Sequence, residues 1–218
     1  MNTSNKNVQP DLESYVNKHI IPCYNSFDKA HQVDHACKVI SESLLLAGSY
    51  PVNTDMVYVI AAYHDLGLSE GREFHHIESG NILMKDQTLR KWFSEEQLLL
   101  MKDAIEDHRA SNKHEPRSIY GKIVAEADRI INPEVTLRRT VQFGLSHYPD
   151  RNKEEQYDRF CAHLQEKYAE GGYLKLWIPE SSNALKLKEL RIIIESESAL
   201  RGIFERIYND ETNPVVIR

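Results

Sequence analysis

Apolar residues recur at spacings of three and four along almost the whole chain, and no stretch alternates long enough to make a strand. The fold this pattern permits is helical. In residues 33–47, VDHACKVISESLLLA, Val33, Ala36, Ile40, Leu44 and Ala47 share one stripe, and Gly48 supplies a stop. Thr54 or Asn53 caps the next helix, DMVYVIAAYHD, which ends near Gly67. HHIESGNILMKD follows a short loop as another helix, and SEEQLLLMKDAIEDHR opens with Ser94 and Gln97 at capping-box spacing. RSIYGKIVAEADRII is stopped by Asn132–Pro133, and PEVTLRRTVQFGL starts with Pro133 in its first turn. KEEQYDRFCAHLQEKYAE ends at Gly171–Gly172, and a single last helix covers 183–208. Between them GGYLKLWIPESS, 171–182, reads as a loop, with EGGYLKLW the piece best suited to move. The expectation is an all-α chain, one helical domain of about seven to nine helices with short connections. Residues 1–29 give an N-terminal helix and lead-in, 30–132 the core, and 133–218 the C-terminal helices that complete the domain, as a lid or a specificity wall.

Charge and cysteine usage limit the function. The chain has 27 Lys and Arg against 33 Asp and Glu, a net charge of −6, which argues against a duplex nucleic-acid partner. Small phosphorylated ligands stay open, because a bound cation reverses the sign locally. Cys23, Cys37 and Cys161 are far apart and form no Cys-x-x-Cys, so neither a disulfide framework nor a thiolate zinc site is expected, and a reducing compartment fits. The opening MNTSNKNVQPDLE lacks the pattern of a signal peptide, and the apolar runs are too short for a bilayer. A cytoplasmic protein with no membrane association is the expectation.

Within this helical frame, YVIAAYHDLGLS, residues 58–69, is an apolar run that ends in His64 and Asp65 side by side. Titratable side chains are seldom buried unless something pairs with them. Other helices bring similar groups to their apolar stripes: His35 near Val39 and Ile40, His76 at the start of its helix, His108 behind Met101 and Ile105, and Asp128 four residues after Val124. Helical bundles build metal sites in this way, from side chains on facing helices. Imidazole and carboxylate ligands without thiolate suit Mn²⁺, Fe²⁺, Zn²⁺ or Mg²⁺. If one ion is shared, the imidazole of His35 must lie within two ligand lengths, each about 2.1 Å, of the carboxylates of Asp65 and Asp128.

The ordered set resembles the HD-domain metal-dependent phosphohydrolases, and it is similar to the small stand-alone class of that superfamily. DHACKV resembles the first motif, AAYHDLG the defining doublet and AEADRI the final Asp motif, over residues 30–132. The resemblance implies a helical fold, divalent metal held by His35, His64, Asp65 and Asp128, and hydrolysis of phosphate esters or anhydrides. His76 and His108 match the two further histidines of members with a dinuclear centre, and His75 is the alternative to His76. Absences narrow the class. Leu68 and Ser69 stand where the ppGpp hydrolases carry Glu-Asp, Leu68 also departs from the Glu of the 5′-nucleotidases, and HHIESG lacks the Gly-Tyr-Pro extension of the cyclic di-GMP phosphodiesterases.

The expected function is thus metal-dependent phosphohydrolysis of a small phosphorylated metabolite, a nucleotide by preference, with one or two ions. Asp65 bridges the ions or orients the attacking water. Arg109, Lys122 and Arg129, each beside a proposed ligand or in the same region, are the expected contacts to the phosphate, together with His75. Arg109 is placed first, and with Asp65 and Lys122 it makes up the expected catalytic set. Tyr120, Tyr173 and Trp177 offer stacking surfaces or core packing, and His31 a substrate contact or a surface residue. The last helix, with Leu190, Ile193, Ile194, Ala199 and Ile203, is core or the face of a homodimer. A ligand-sensing module without turnover is the alternative function, and a metal-free interaction scaffold a third.

Overall fold

The computed structural model describes residues 8–27, 32–112 and 114–213. His31 lies outside them. The described residues form ten α-helices and no strand: α1 (Pro10–His19), α2 (Val33–Ala47), α3 (Thr54–Tyr63), α4 (His75–Lys85), α5 (Glu95–Asp107), α6 (Ile119–Asp128), α7 (Pro133–His147), α8 (Lys153–Tyr168), α9 (Asn183–Glu195) and α10 (Glu197–Thr212). Three short 3₁₀ segments, Ile21–Ser26, Leu66–Glu70 and Gln87–Lys91, join them. The all-α expectation holds, with a helix count slightly above the seven to nine expected. One extra helix comes from the end of the chain. The single helix expected over 183–208 is broken at Ser196, whose extended backbone (φ −95°, ψ 97°) ends α9 and whose side chain accepts the N–H of Ala199 to start α10. Serine favours such a capping bond over a place inside a helix.

The helix starts follow local chemistry. Asn53 accepts the N–H groups of Asp55 and Met56 at the head of α3. Ser94 and Gln97 form the reciprocal capping box of α5, with Ser94 N–H to Gln97 Oε1 at 2.9 Å. Asn132 caps α7 ahead of Pro133.

The chain divides into two compact units. The first runs to Arg129 and takes in Trp177–Ser181; the second comprises Ile130–Leu176 and resumes at Ser182. In the first unit α3 is the central element: Met56 to Tyr63 are all buried, and α1, α2, α4, α5 and α6 pack on it. Each fully buried aliphatic residue here contributes about 1.5–3 kcal/mol. Val57 of α3 packs in one buried cluster with Ala47, Val52, Ile123 and Ile178. Polar atoms on α3 find partners: Tyr63 and Tyr15 both donate to Oδ2 of Asp86 at 2.6 Å, and Tyr24 donates to the Ala62 carbonyl at 3.0 Å.

In the second unit α7–α10 pack around Leu137, Val141, Phe160, Leu164, Leu190 and Phe204, with the Phe160 and Phe204 rings 5.3 Å apart. Among the described residues no helix is long and apolar enough to cross a membrane.

Candidate metal centre

The candidate ligands of the first unit all sit at helix ends. His35 is in the first turn of α2 and His75 is the first residue of α4, while His64, His108 and Asp128 close α3, α5 and α6. Three helices therefore end on this point with their C-terminal carbonyls, the end of the helix dipole that favours a cation.

Nε2 of His35 lies 3.5 Å from Oδ2 of Asp65, 3.3 Å from Oδ1 of Asp128 and 3.3 Å from Nε2 of His64. Both carboxylates thus fall inside the two-ligand-length limit. Nε2 of His64 is 3.2 Å from Oδ2 of Asp65 and 3.8 Å from Oδ1 of Asp128. The other carboxylate oxygen of Asp65, Oδ1, faces a second pair: Nε2 of His75 at 3.5 Å and Nε2 of His108 at 3.4 Å. The ligand atoms of His35, His64 and Asp65 lie within 4.8 Å of one another, as do those of Asp65, His75 and His108. Asp65 belongs to both groups.

The imidazoles are aimed by the backbone. Nδ1 of His64 is 2.7 Å from the Ala61 carbonyl, Nδ1 of His108 2.6 Å from the Ile105 carbonyl and Nδ1 of His75 2.8 Å from the Arg72 carbonyl. In each case the acceptor lies three residues earlier. A carbonyl can only accept, so Nδ1 carries a proton, and Nε2 is the nitrogen each ring turns to the centre, where a cation would take the place of any proton on it. The donor set therefore fits a divalent cation: carboxylate oxygen and imidazole nitrogen, with His64, Asp65 and His108 buried and no thiol in either group.

Protonation follows the crowding. Burial opposes charge on His35, yet the adjoining Asp128 and Asp65 outweigh it and raise its pKa to about 9. His64 rises too, its burial outweighed by Asp65. Burial would raise Asp65, but His64, His108 and His35 hold it well below the usual carboxylate range. Asp128 is likewise held low, chiefly through His35, against its burial. Burial and the charge of His108 lower His75.

His76 falls outside both groups, and His75 occupies the place beside Asp65. Neighbours in a helix point about 100° apart, so one of the two can face the centre. Nδ1 of His76 is buried without a hydrogen-bond partner among the described residues, and the side chain lines a cavity of about 430 Å³ with Glu106, Asp107 and Arg117. Burial, His108 and Arg109 lower its pKa to about 4.

The cations expected at the phosphate are all engaged. Arg109 donates Nη1–H to the Glu73 carbonyl at 2.6 Å, and Lys122 pairs with Glu115. Arg129 is 6% exposed; its Nη1 meets the Ala125 carbonyl, while its Nε has no partner among the described residues.

Several residues that shape the site carry no signal in the sequence. Tyr24 is fully buried 41 positions from Asp65, and its hydroxyl accepts the Asp65 N–H at 3.4 Å. Asp107, next to His108, is buried and takes Arg117 N–H at 2.7 Å and Nε–H at 3.0 Å. Glu126, on α6 before Asp128, is fully buried and accepts the N–H groups of Trp177 (2.7 Å) and Ile178 (3.4 Å) and the hydroxyl of Ser181. The segment expected to be mobile is thus fastened at its Trp177 end.

Residues 33–132 match the family model described as HD domain. The chain is similar to a structure described as a predicted HD superfamily hydrolase from an uncultured Thermotogales bacterium. The identity is 20% and the TM-score 0.49, over 72% of this chain and 88% of the other. No curated protein matches the chain.

Proposed function

From the match of residues 33–132 to the HD domain model, we propose that the protein is a metal-dependent phosphohydrolase of a small phosphorylated metabolite, a nucleotide in our reading. The observation that carries the proposal is the sharing of Asp65, whose two oxygens face different pairs of imidazoles. On this reading His35, His64, Asp65 and Asp128 hold one divalent ion, and Asp65, His75 and His108 a second. Such an ion lowers the pKa of a water it binds toward neutrality and draws charge from a phosphoryl oxygen.

The chain's own contribution is orientation. The carbonyls of Ala61, Ile105 and Arg72 fix three rings with Nε2 forward. Asp65, ionised through the neutral range, presents acceptor oxygens to both positions and to an attacking water. Arg109 has Nη1 engaged by a carbonyl and further N–H groups to offer an equatorial phosphate oxygen. Arg129 adds a buried positive charge beside Asp128, and Lys122 reaches a phosphate by exchanging Glu115 for it.

The test is hydrolysis of a nucleotide panel with Mn²⁺ by wild type and Asp65→Ala. Turnover confined to the wild type supports the reading, and equal turnover rejects it. Bound nucleotide recovered intact after long incubation would replace it with a ligand-binding module.

A further inference from the structure

The two ligand groups are held unequally. His64 and His108 are buried at the ends of α3 and α5. His75 is half-buried at the start of α4, a helix whose N-cap, Phe74, makes no side-chain capping bond. The residues leading into it, 71–74, are exposed, and Gly71 has φ 108°, a sharp turn of the chain open to glycine.

Two hydrogen bonds draw the carbonyls of this segment inward. One is local, between Nδ1 of His75 and the Arg72 carbonyl. The other spans 36 residues, from Nη1 of Arg109 to the Glu73 carbonyl at 2.6 Å. Arg109 directly follows His108, so its guanidinium ties the backbone that carries His75 to the helix end that carries His108. These are the two imidazoles that share Oδ1 of Asp65.

We infer that Arg109 is a positioning residue for the His75–His108 position. Its bond to the Glu73 carbonyl keeps Nε2 of His75 aimed at the oxygen that His108 also faces, and so sets the affinity of that position. The position built on His35, His64 and Asp128 does not depend on it. This rests on the metal-binding reading above, and it gives Arg109 a role that contact with a phosphate would not.

The experiment titrates the full-length protein with Mn²⁺ alone, reading stoichiometry by equilibrium dialysis and the pairing of ions by spin coupling in electron paramagnetic resonance. Wild type is expected to take two ions, the second weaker and coupled to the first. Arg109→Ala keeps the first affinity and loses about tenfold or more in the second, as outer-shell partners of metal ligands do; His75→Ala shows the same pattern. Arg109→Lys, which keeps a donor and its charge, recovers part of the loss. A second affinity in Arg109→Ala within about twofold of wild type, well short of that outer-shell loss, overturns the proposal. So does equal weakening of both ions. A wild type that binds one ion defeats the two-position reading itself, and a wild type that binds none defeats the metal-binding reading; either takes this proposal with it.

Discussion

Oδ2 of Asp65 lies 3.2 Å from Nε2 of His64, the residue immediately before it. Within a continuing helix these side chains would diverge by about 100°, so they meet because the helix stops between them. His64 keeps helical angles (φ −52°, ψ −37°), and Asp65 turns away at φ −111°, ψ 5°. The doublet works as a unit only at a helix end.

Because Asp65 serves both groups, Asp65→Ala should abolish binding at both positions, with a loss beyond the ~10–100-fold typical of outer-shell partners. Thermal melts check this without substrate. Mn²⁺ at a hundred times its dissociation constant stabilises a one-site protein by about 2.7 kcal/mol, and a chelator removes that gain. Asp65→Ala should melt at one temperature with or without the ion.

A Cβ on Gly67 would lie 2.1 Å from the His75 carbonyl oxygen and 2.6 Å from the Ser79 nitrogen. Both are backbone atoms, with no rotamer to escape into. Gly67→Ala is expected to lose about 1–3 kcal/mol in urea denaturation and to displace the start of α4, weakening Mn²⁺ at the His75 position. An unchanged urea midpoint would mean that the helix and the turn separate freely.

Glu126 answers three donors from 51, 52 and 55 residues away in the chain. Glu126→Ala leaves the buried donors of Ile178 and Ser181 and the half-buried one of Trp177 without this acceptor, and a loss of about 2–4 kcal/mol is expected. Limited proteolysis reads the same event locally, with new cleavage around Trp177. Protection equal to wild type would show that other contacts hold this segment.

Burial works against the charge of Asp86, but the hydroxyls of Tyr15 and Tyr63 outweigh it and depress its pKa. A depressed carboxylate stabilises the fold above its unfolded value of about 3.9 and loses that contribution as pH falls through the folded value. Wild type should therefore exceed Asp86→Asn in stability at pH 7, and the gap should close below about pH 4. Denaturation curves across that window decide the matter; a gap independent of pH would assign it to packing.

The helices were legible because an apolar stripe has a period, and His35, His64, Asp65, His108 and Asp128 were legible because each lies on such a stripe or at its end. The choice between His75 and His76 was not. Both stand at one helix start, and the decision rests on the backbone of residues 71–74 and on Arg109, which the spacing does not encode. Glu126 reads in the sequence as one more acid on α6, since its partners are backbone groups fixed by the tertiary fold. The break at Ser196 hides for the opposite reason: its cause is local, but the apolar spacing runs on across it from Ile193 to Leu200, two turns on.

The acceptors that aim His64, His75 and His108 are peptide carbonyls, and every amino acid brings one. No replacement at positions 61, 72 or 105, proline included, can delete them. Aim is therefore inherited from the path of the main chain, and the side chains surrounding these rings are free to diverge among descendants while the rings keep pointing the same way.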